Sequence, residues 1–474
     1  MKKIIFAVLA IAALVCSCTP KENYTPEGNE GIPFVATIQG ESYTRAVTES
    51  GGDIVVNFTA GDEIALIYEV SSTAYKTNAT VTSVDGTGKA TISATLQAGV
   101  TDGTSVTLIY PGAAADGTTG NVLAAALSTQ DGTLSTGRDI RKGTGTIKVD
   151  GTATLSAGAT LDAEYAICKF EVKDVDGSNS LSVSRFVVKD ASNNVITTVT
   201  PGSATSTLYV ALPTSSELLW FEAVASDKPY VAKGTAALTA GNFYTPTVKM
   251  ATIYNVIGAN GKFYKNKDAA VAASTTISAI IVSLGEDTAE SGFPHGLAIA
   301  VRIAGGSTKR WQPTASVSNA HQYGDYADAI AAKESGSVLC TGKDNETDYP
   351  AIYAALHNTI TVESGTTNLK PSSGTSNWFL PSAYQINLIF KGLSGGEALT
   401  NSNNSNLEST RFSTNMTAAG FKSGAAPWNQ RSANLWTSTE YTGGNNAWRY
   451  NGYGKLEDGD KTGSGGYVIA TLAF

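Results

Sequence analysis

Only three histidines occur in the 474 residues (His295, His321, His357), and none stands at the spacing of a zinc ligand pair. One segment, Gly392-Leu393-Ser394-Gly395-Gly396, has the Gly-x-Ser-x-Gly spacing of an activated serine. That chemistry needs a strand before the serine and a helix after it. Here a helical pattern precedes and a polar loop follows, so the glycines are expected to end a helix. Neither Cys168 nor Cys340 has a histidine nearby in sequence to take its proton. Cys168 sits in the apolar alternation 165–172 and reads as a buried free thiol. Asp325 with Asp328, and Glu457 with Asp458 and Asp460, offer oxygen ligands of the kind Ca²⁺ takes, but acidic loop residues are more often solvated. No catalytic residue, metal or cofactor is assigned, and an enzyme is not expected.

Binding chemistry is better represented. Five of the six tryptophans (Trp311, Trp378, Trp428, Trp436, Trp448) fall after residue 310, with Tyr441, Tyr450 and Tyr453 among them. Trp378 precedes a helical pattern and Trp436 lies in a strand pattern, so both are expected in a core. Trp428 and Trp448 stand beside Pro, Asn and Gly, in segments that read as loops. With Tyr450 they are the candidate ligand-binding residues, since loop aromatics can meet a partner.

The elements that must position these residues are mostly strands. Charged residues make up 16% of the chain, below the usual ~25%, and 48 glycines are spread among abundant Ser and Thr. Short β-branched runs bounded by Gly and Asp recur at 33–39, 53–59, 63–68, 79–83, 90–96 and 105–110, with shorter ones at 121–127 and 146–149. A second series covers 164–172, 181–189, 194–199, 207–212, 218–224 and 238–250. A third region opens near residue 254 with an alanine-rich helix at 268–274 and strands at 277–284 and 295–303. Helices are expected at 325–333, 350–357 and 382–393. In the last, Ser382 and Gln385 have capping-box spacing, and Ile386, Ile389, Phe390 and Leu393 form the apolar face. The fold class is mainly β, with an α+β C-terminal region. A net charge of −8 and the lack of a basic run argue against nucleic acid.

The N-terminus reads as an address. Lys2 and Lys3 precede the apolar run 4–15, too short to span a bilayer. Val15-Cys16-Ser17-Cys18 resembles a bacterial lipobox, with Cys18 as the lipidation site because small Ser17 precedes it. Residues 1–18 are then a lipoprotein signal peptide and lipobox, and 19–32 a polar tether.

Trp378-Phe379-Leu380-Pro381-Ser382, Trp436-Thr437-Ser438-Thr439-Glu440-Tyr441 and a terminal strand, in that order, resemble a C-type-lectin-like domain of the kind appended to Bacteroidales fimbrillins. Phe58-Thr59-Ala60-Gly61-Asp62-Glu63-Ile64, 161–170 and Leu238-Thr239-Ala240-Gly241-Asn242-Phe243-Tyr244 are similar to elements of the fimbrillins themselves. The resemblance implies fimbrillin-like β-sandwich lobes at 33–155 and 156–250, then a lectin-like domain at 253–474. Glu-Pro-Asn and Trp-Asn-Asp, which bind sugar through calcium in lectins, are absent. The formylglycine-generating enzymes share the lectin-like fold but use a cysteine pair, and this region has Cys340 alone. By match to the family's Thr-Arg-Ala, Arg45 and Ala46 would flank a proteolytic processing site. Cutting there would free the first strand, and a neighbouring subunit's strand would take its place. The implied function is a structural and adhesive subunit of a cell-surface fimbria at its tip, held to the outer membrane by lipid before processing. Its partners would be other fimbrillin subunits and a glycan or protein ligand. A stand-alone surface lipoprotein that binds glycans or host protein is the alternative.

Overall fold

The computed structural model describes residues 31–40, 48–50, 53–55, 58–134, 139–314, 321–358, 361–362, 366–367, 370–371, 373–408, 412–419, 434–463 and 465–474. The fold is mainly β, and the chain divides into two compact units. One holds the first strand with residues 58–123 and 140–162; the other holds residues 124–134 and the described residues from Ala163 onward.

In the first unit eight strands form one sheet that closes on itself. The order is Thr152–Leu155, Ile32–Gly40, Ala159–Ala163, Arg141–Asp150, Ser105–Tyr110, Glu63–Val70, Thr73–Val84 and Ala90–Leu96, and the last strand pairs back onto Ile32–Gly40. The sandwich expected for 33–155 thus takes the form of a barrel-like sheet, which leaves no edge along its closing seam. Alternate residues face its interior, with Phe34, Ile38, Ile64, Leu66, Leu108 and Tyr110 in one core. The strand expected at 121–127 is absent: Ala124–Leu127 forms a 3₁₀ turn. Its three alanines lack the β-branched side chains that favour a pleated surface.

The second unit begins as two facing sheets. Ala166–Asp174 pairs with Thr207–Leu212 on one side and with Phe243–Tyr244 and Thr247–Met250 on the other. The second sheet runs Lys228–Thr235, Leu218–Ala225, Arg185–Lys189, Val195–Val199, Thr129–Gln130. Phe170, Phe186 and Phe221 meet between them at ring separations of 5.4 to 5.7 Å.

From residue 253 onward the unit is α+β. A five-stranded sheet runs Phe263–Tyr264, Val256–Gly258, Ile277–Leu284, Gly296–Ala300, Thr471–Ala473. A second sheet is built on Asn434–Tyr441, Asn446–Tyr450 and Leu456–Asp460. The helix Ala383–Ser394 packs in the same core as both. Its start follows the sequence reading: Ser382 Oγ accepts from Gln385 N, and Gln385 Oε1 accepts from Ser382 N. Its end does too. Gly395 adopts φ +83°, closing the helix in the left-handed region, so the Gly-x-Ser-x-Gly segment is a helix terminus. Gly392 has no room for a Cβ, which would meet the Val282 carbonyl of the adjoining strand. Trp220, Val231 and Ala251 pack into this same core.

Candidate functional site

The strand Ile32–Gly40 is hydrogen-bonded along both edges. It runs antiparallel to Ala90–Leu96, in register from Ile32 opposite Leu96 to Ile38 opposite Ala90. On its other side it runs parallel to two strands, with Phe34 opposite Ala153 and Ile38 opposite Ala159. Phe34, Ala36 and Ile38 point into the core, while Val35 and Thr37 are exposed. Burying Phe34 and Ile38 contributes roughly 1.5–3 kcal/mol each. Without this strand two neighbours would lose their ladder partner beside an apolar trench, the arrangement that invites another strand to pair. Sequence alternation shows that residues 33–39 form a strand. It carries no sign that the strand sits between two others, because its partners lie 50 to 120 residues away.

Of the candidate site residues, Cys18, Arg45, Ala46 and Trp428 lie outside the described residues. Trp448 and Tyr450 are within them, and the loop expectation for Trp448 is corrected. Both belong to the strand Asn446–Tyr450, which lies between two others. Trp448 is buried, donates its Nε1–H to the Tyr323 carbonyl at 3.1 Å, and stands edge-on to Tyr441. Tyr450 is also buried, stacked on Phe390 at 4.0 Å with its hydroxyl on the Leu407 carbonyl. The signal that was available is their period of two about Arg449, which places both on one face of a strand. Trp378 and Trp436 are buried as expected, and Trp311 is buried with them. Gly466 lets Trp436 lie close, since a Cβ there would overlap its indole. Tyr453 keeps 38% of its surface exposed.

The carboxylates considered for calcium are engaged locally. Asp325 caps the helix Tyr326–Ala331 through Ala327 N at 2.7 Å. Glu457 pairs with Arg449 and Lys455, Asp458 accepts from Asn446, and Asp460 accepts from Thr462. Among the described residues no three His, Cys, Asp or Glu side chains converge as a metal site. Cys168 and Cys340 are free and buried, and burial pushes both thiols up to about 12, where they are inert as nucleophiles.

Buried polar clusters escaped the sequence reading, two of them charged. Lys461 and Glu440, both wholly buried, form an ion pair at 2.7 Å, with the ammonium 4.7 Å from the centre of the Trp311 ring. Burial pulls the Lys461 pKa down, and Glu440 opposes that shift. His295 stacks on Trp220 at 3.9 Å and places Nδ1 3.0 Å from Glu222, which also holds Lys189 at 2.6 Å. Burial depresses the His295 pKa against the pull of Glu222. For Glu222 burial acts upward, but His295 and Lys189 together hold it below the ordinary carboxylate range.

No protein-family model and no curated protein matches this sequence. Among solved structures, a fimbrial protein from Bacteroides ovatus aligns over 94% of this chain and 100% of its own, at 14% identity and a TM-score of 0.31. A candidate cell adhesion protein from Bacteroides fragilis aligns over 47% of this chain and 96% of its own, at 12% identity and a TM-score of 0.32. Another from Bacteroides ovatus covers 48% and 96%, at 14% identity and a TM-score of 0.29. Likenesses this distant assign neither ligand nor role.

Proposed function

We propose that the chain is a structural and adhesive subunit of a cell-surface fimbria, of the fimbrillin type, with its C-terminal region as the outward-facing part. The observation that carries this reading is the first strand. Ile32–Gly40 fills a slot between Ala90–Leu96 and the strands Thr152–Leu155 and Ala159–Ala163, and the sequence Thr44-Arg45-Ala46 follows its end by four residues. A cut after Arg45 severs that strand from the rest of the chain. Its hold is then only the ladder and the inward side chains Phe34, Ala36 and Ile38. A covalently continuous strand from a neighbouring subunit competes for the same slot and offers the same hydrogen bonds.

The lipobox at Cys18 supports delivery to the outer membrane, and the cut would also release the subunit from its lipid. The α+β region from 253 onward, with its capped helix and terminal strand, supports the lectin-like assignment and the tip position. In cells making the fimbria, Arg45→Ala should leave the folded protein at the surface, retained by lipid and missing from fibres. Normal incorporation of Arg45→Ala would refute assembly by strand replacement.

A further inference from the structure

The two facing sheets that begin the second unit do not close fully on each other. Between the strands Lys228–Thr235 and Thr247–Met250, at the margins of the two sheets, a cavity of about 310 Å³ opens into the sandwich core. Its floor is Phe170, Leu212, Leu219 and Phe221, with Cys168 among them, all buried in one core. Protein interiors are close-packed and hold few voids larger than a water molecule, so an opening of this size needs a cause.

The cause lies in the sequence. Ala232, Gly234 and Ala236 take three successive inward positions and bring two methyl groups between them. A Cβ at Gly234 would meet one neighbour within 4 Å, the Phe221 ring at 3.9 Å. No turn requires this glycine, since its φ lies outside the left-handed region. No bulge requires it either, because the register with Leu218–Ala225 runs unbroken through Leu219 opposite Gly234. Glycine weakens a strand interior, and where no bend needs it, it marks the close approach of another group. No described residue beyond Phe221 makes that approach.

The surface turned into the cavity is uncharged. No carboxylate lines it. Lys233 and Lys249 stand at its edge, but both alternate with inward residues and carry their ammonium groups elsewhere. Lys233 Nζ lies 5.5 Å from the centres of the Trp220 and Phe263 rings, and Lys249 Nζ lies 3.4 Å from the Asp176 carbonyl. Exposed Thr235 and Thr247 stand at the mouth.

The mouth is framed by one continuous stretch, 232–250. Val231 and Ala251 tie its base through backbone bonds of 2.9 and 2.7 Å. At its far end Leu238 pairs with Ser215, and Phe243–Tyr244 with Ala166–Asp174. A frame closed at both ends does not let a strand lie through it lengthwise; it admits a narrow group end-on. Inside, the three small positions run along the strand for roughly 13 Å, so the space is long rather than round. An apolar cavity of roughly 150 Å³ holds one benzene ring, and by the same measure this one holds a single aliphatic chain of about twelve carbons at most.

We propose that this cavity is a binding site for a neutral single-chain amphiphile of the fatty-alcohol type. Its aliphatic chain lies along Ala232, Gly234 and Ala236, and its hydroxyl end stays at the mouth beside Thr235 and Thr247. The proposal does not rest on the fimbrial reading.

The test is calorimetric titration of the full chain, carrying Cys18→Ala so that no acyl group of its own competes, with hexanol, octanol, decanol and 1-adamantanol. Decanol should bind, and each pair of methylenes from hexanol to decanol should tighten binding by about fifteenfold. The cage of 1-adamantanol has the carbon count of decanol but not its shape, and should bind at least about tenfold more weakly than decanol. Gly234→Val fills the empty inward position with a strand-favouring side chain. It should melt no lower than the parent chain and weaken decanol by about tenfold or more. Gly234→Ala, which adds one methyl where the nearest group is at 3.9 Å, should weaken it by about fourfold and carries the test if the valine variant fails to fold. Absence of decanol binding up to its solubility limit would overturn the proposal. So would equal binding of 1-adamantanol, or undiminished decanol binding in the folded Gly234 variants.

Discussion

At the residue scale, the wholly buried pair of Lys461 and Glu440 is held by geometry as much as by charge. Glu440→Gln should cost about 3–5 kcal/mol, because it leaves the ammonium buried without its counter-charge. Lys461→Met combined with Glu440→Leu should recover much of that loss, and denaturant titration of both variants checks it. His295 makes a different prediction. Its folded pKa lies below the ordinary imidazole value, so its contribution to stability is complete above about pH 6.5. The contribution is lost as pH falls through the depressed value, when the buried ring must take a charge beside Lys189 and Lys233. Denaturant midpoints at pH 7.5 and 5.5 should therefore separate more for the wild type than for His295→Gln. Equal separation in the two would remove His295 from the account. The tryptophans were legible as a group but not in their placement. Trp448 reads as a loop residue because Gly and Asn precede it, yet the alternation of Trp448, Arg449 and Tyr450 is that of a strand with one buried face. Trp448→Ala should accordingly cost roughly 3–5 kcal/mol, the usual figure for a buried aromatic, read from thermal melting. Tyr453→Ala, at an exposed turn, should stay within about 0.5 kcal/mol of wild type.

At the scale of elements, local signals were read well wherever the cause of the element is local. The helix Ala383–Ser394 has its cap, its apolar face and its glycine stop within a dozen residues. Ser382→Ala should cost about 1 kcal/mol, typical of a lost N-cap, and somewhat more if the Glu334 carbonyl that Ser382 Oγ also bonds is left unpaired. Far-UV melting of that single variant checks it. The helix Gly336–Cys340 went unread because it is short and its support is distant. Gly336 N donates to Gln385 Oε1 at 3.0 Å, and Ser335 and Ser337 both donate to Glu290. Gln385 Nε2 reaches the same Glu290 at 2.6 Å, so one buried carboxylate ties together segments almost a hundred residues apart. No window along the sequence contains that information. The alanine run 124–127 failed in the opposite sense, since its neighbours suggested a strand and its own composition did not.

At the scale of the whole molecule, what the sequence could not display is closure. The pattern of 33–39 marks a strand, but only the pairing to Ala90–Leu96 on one side and to Thr152–Leu155 and Ala159–Ala163 on the other makes it the piece that closes a sheet. That position is why its loss would matter. An edge strand could leave with one ladder broken, whereas this one leaves two edges and a trench once filled by Phe34, Ala36 and Ile38. The strand-exchange account requires that subunits inside fibres lack this strand of their own chain. The most direct measurement is the N-terminal mass of the protein recovered from purified surface fibres. The account predicts that it begins at Ala46, without lipid, while unassembled protein in the same cells still carries Arg45 and an acylated Cys18. Fibre-bound protein that begins at Cys18 and retains Ile32–Gly40 would contradict it.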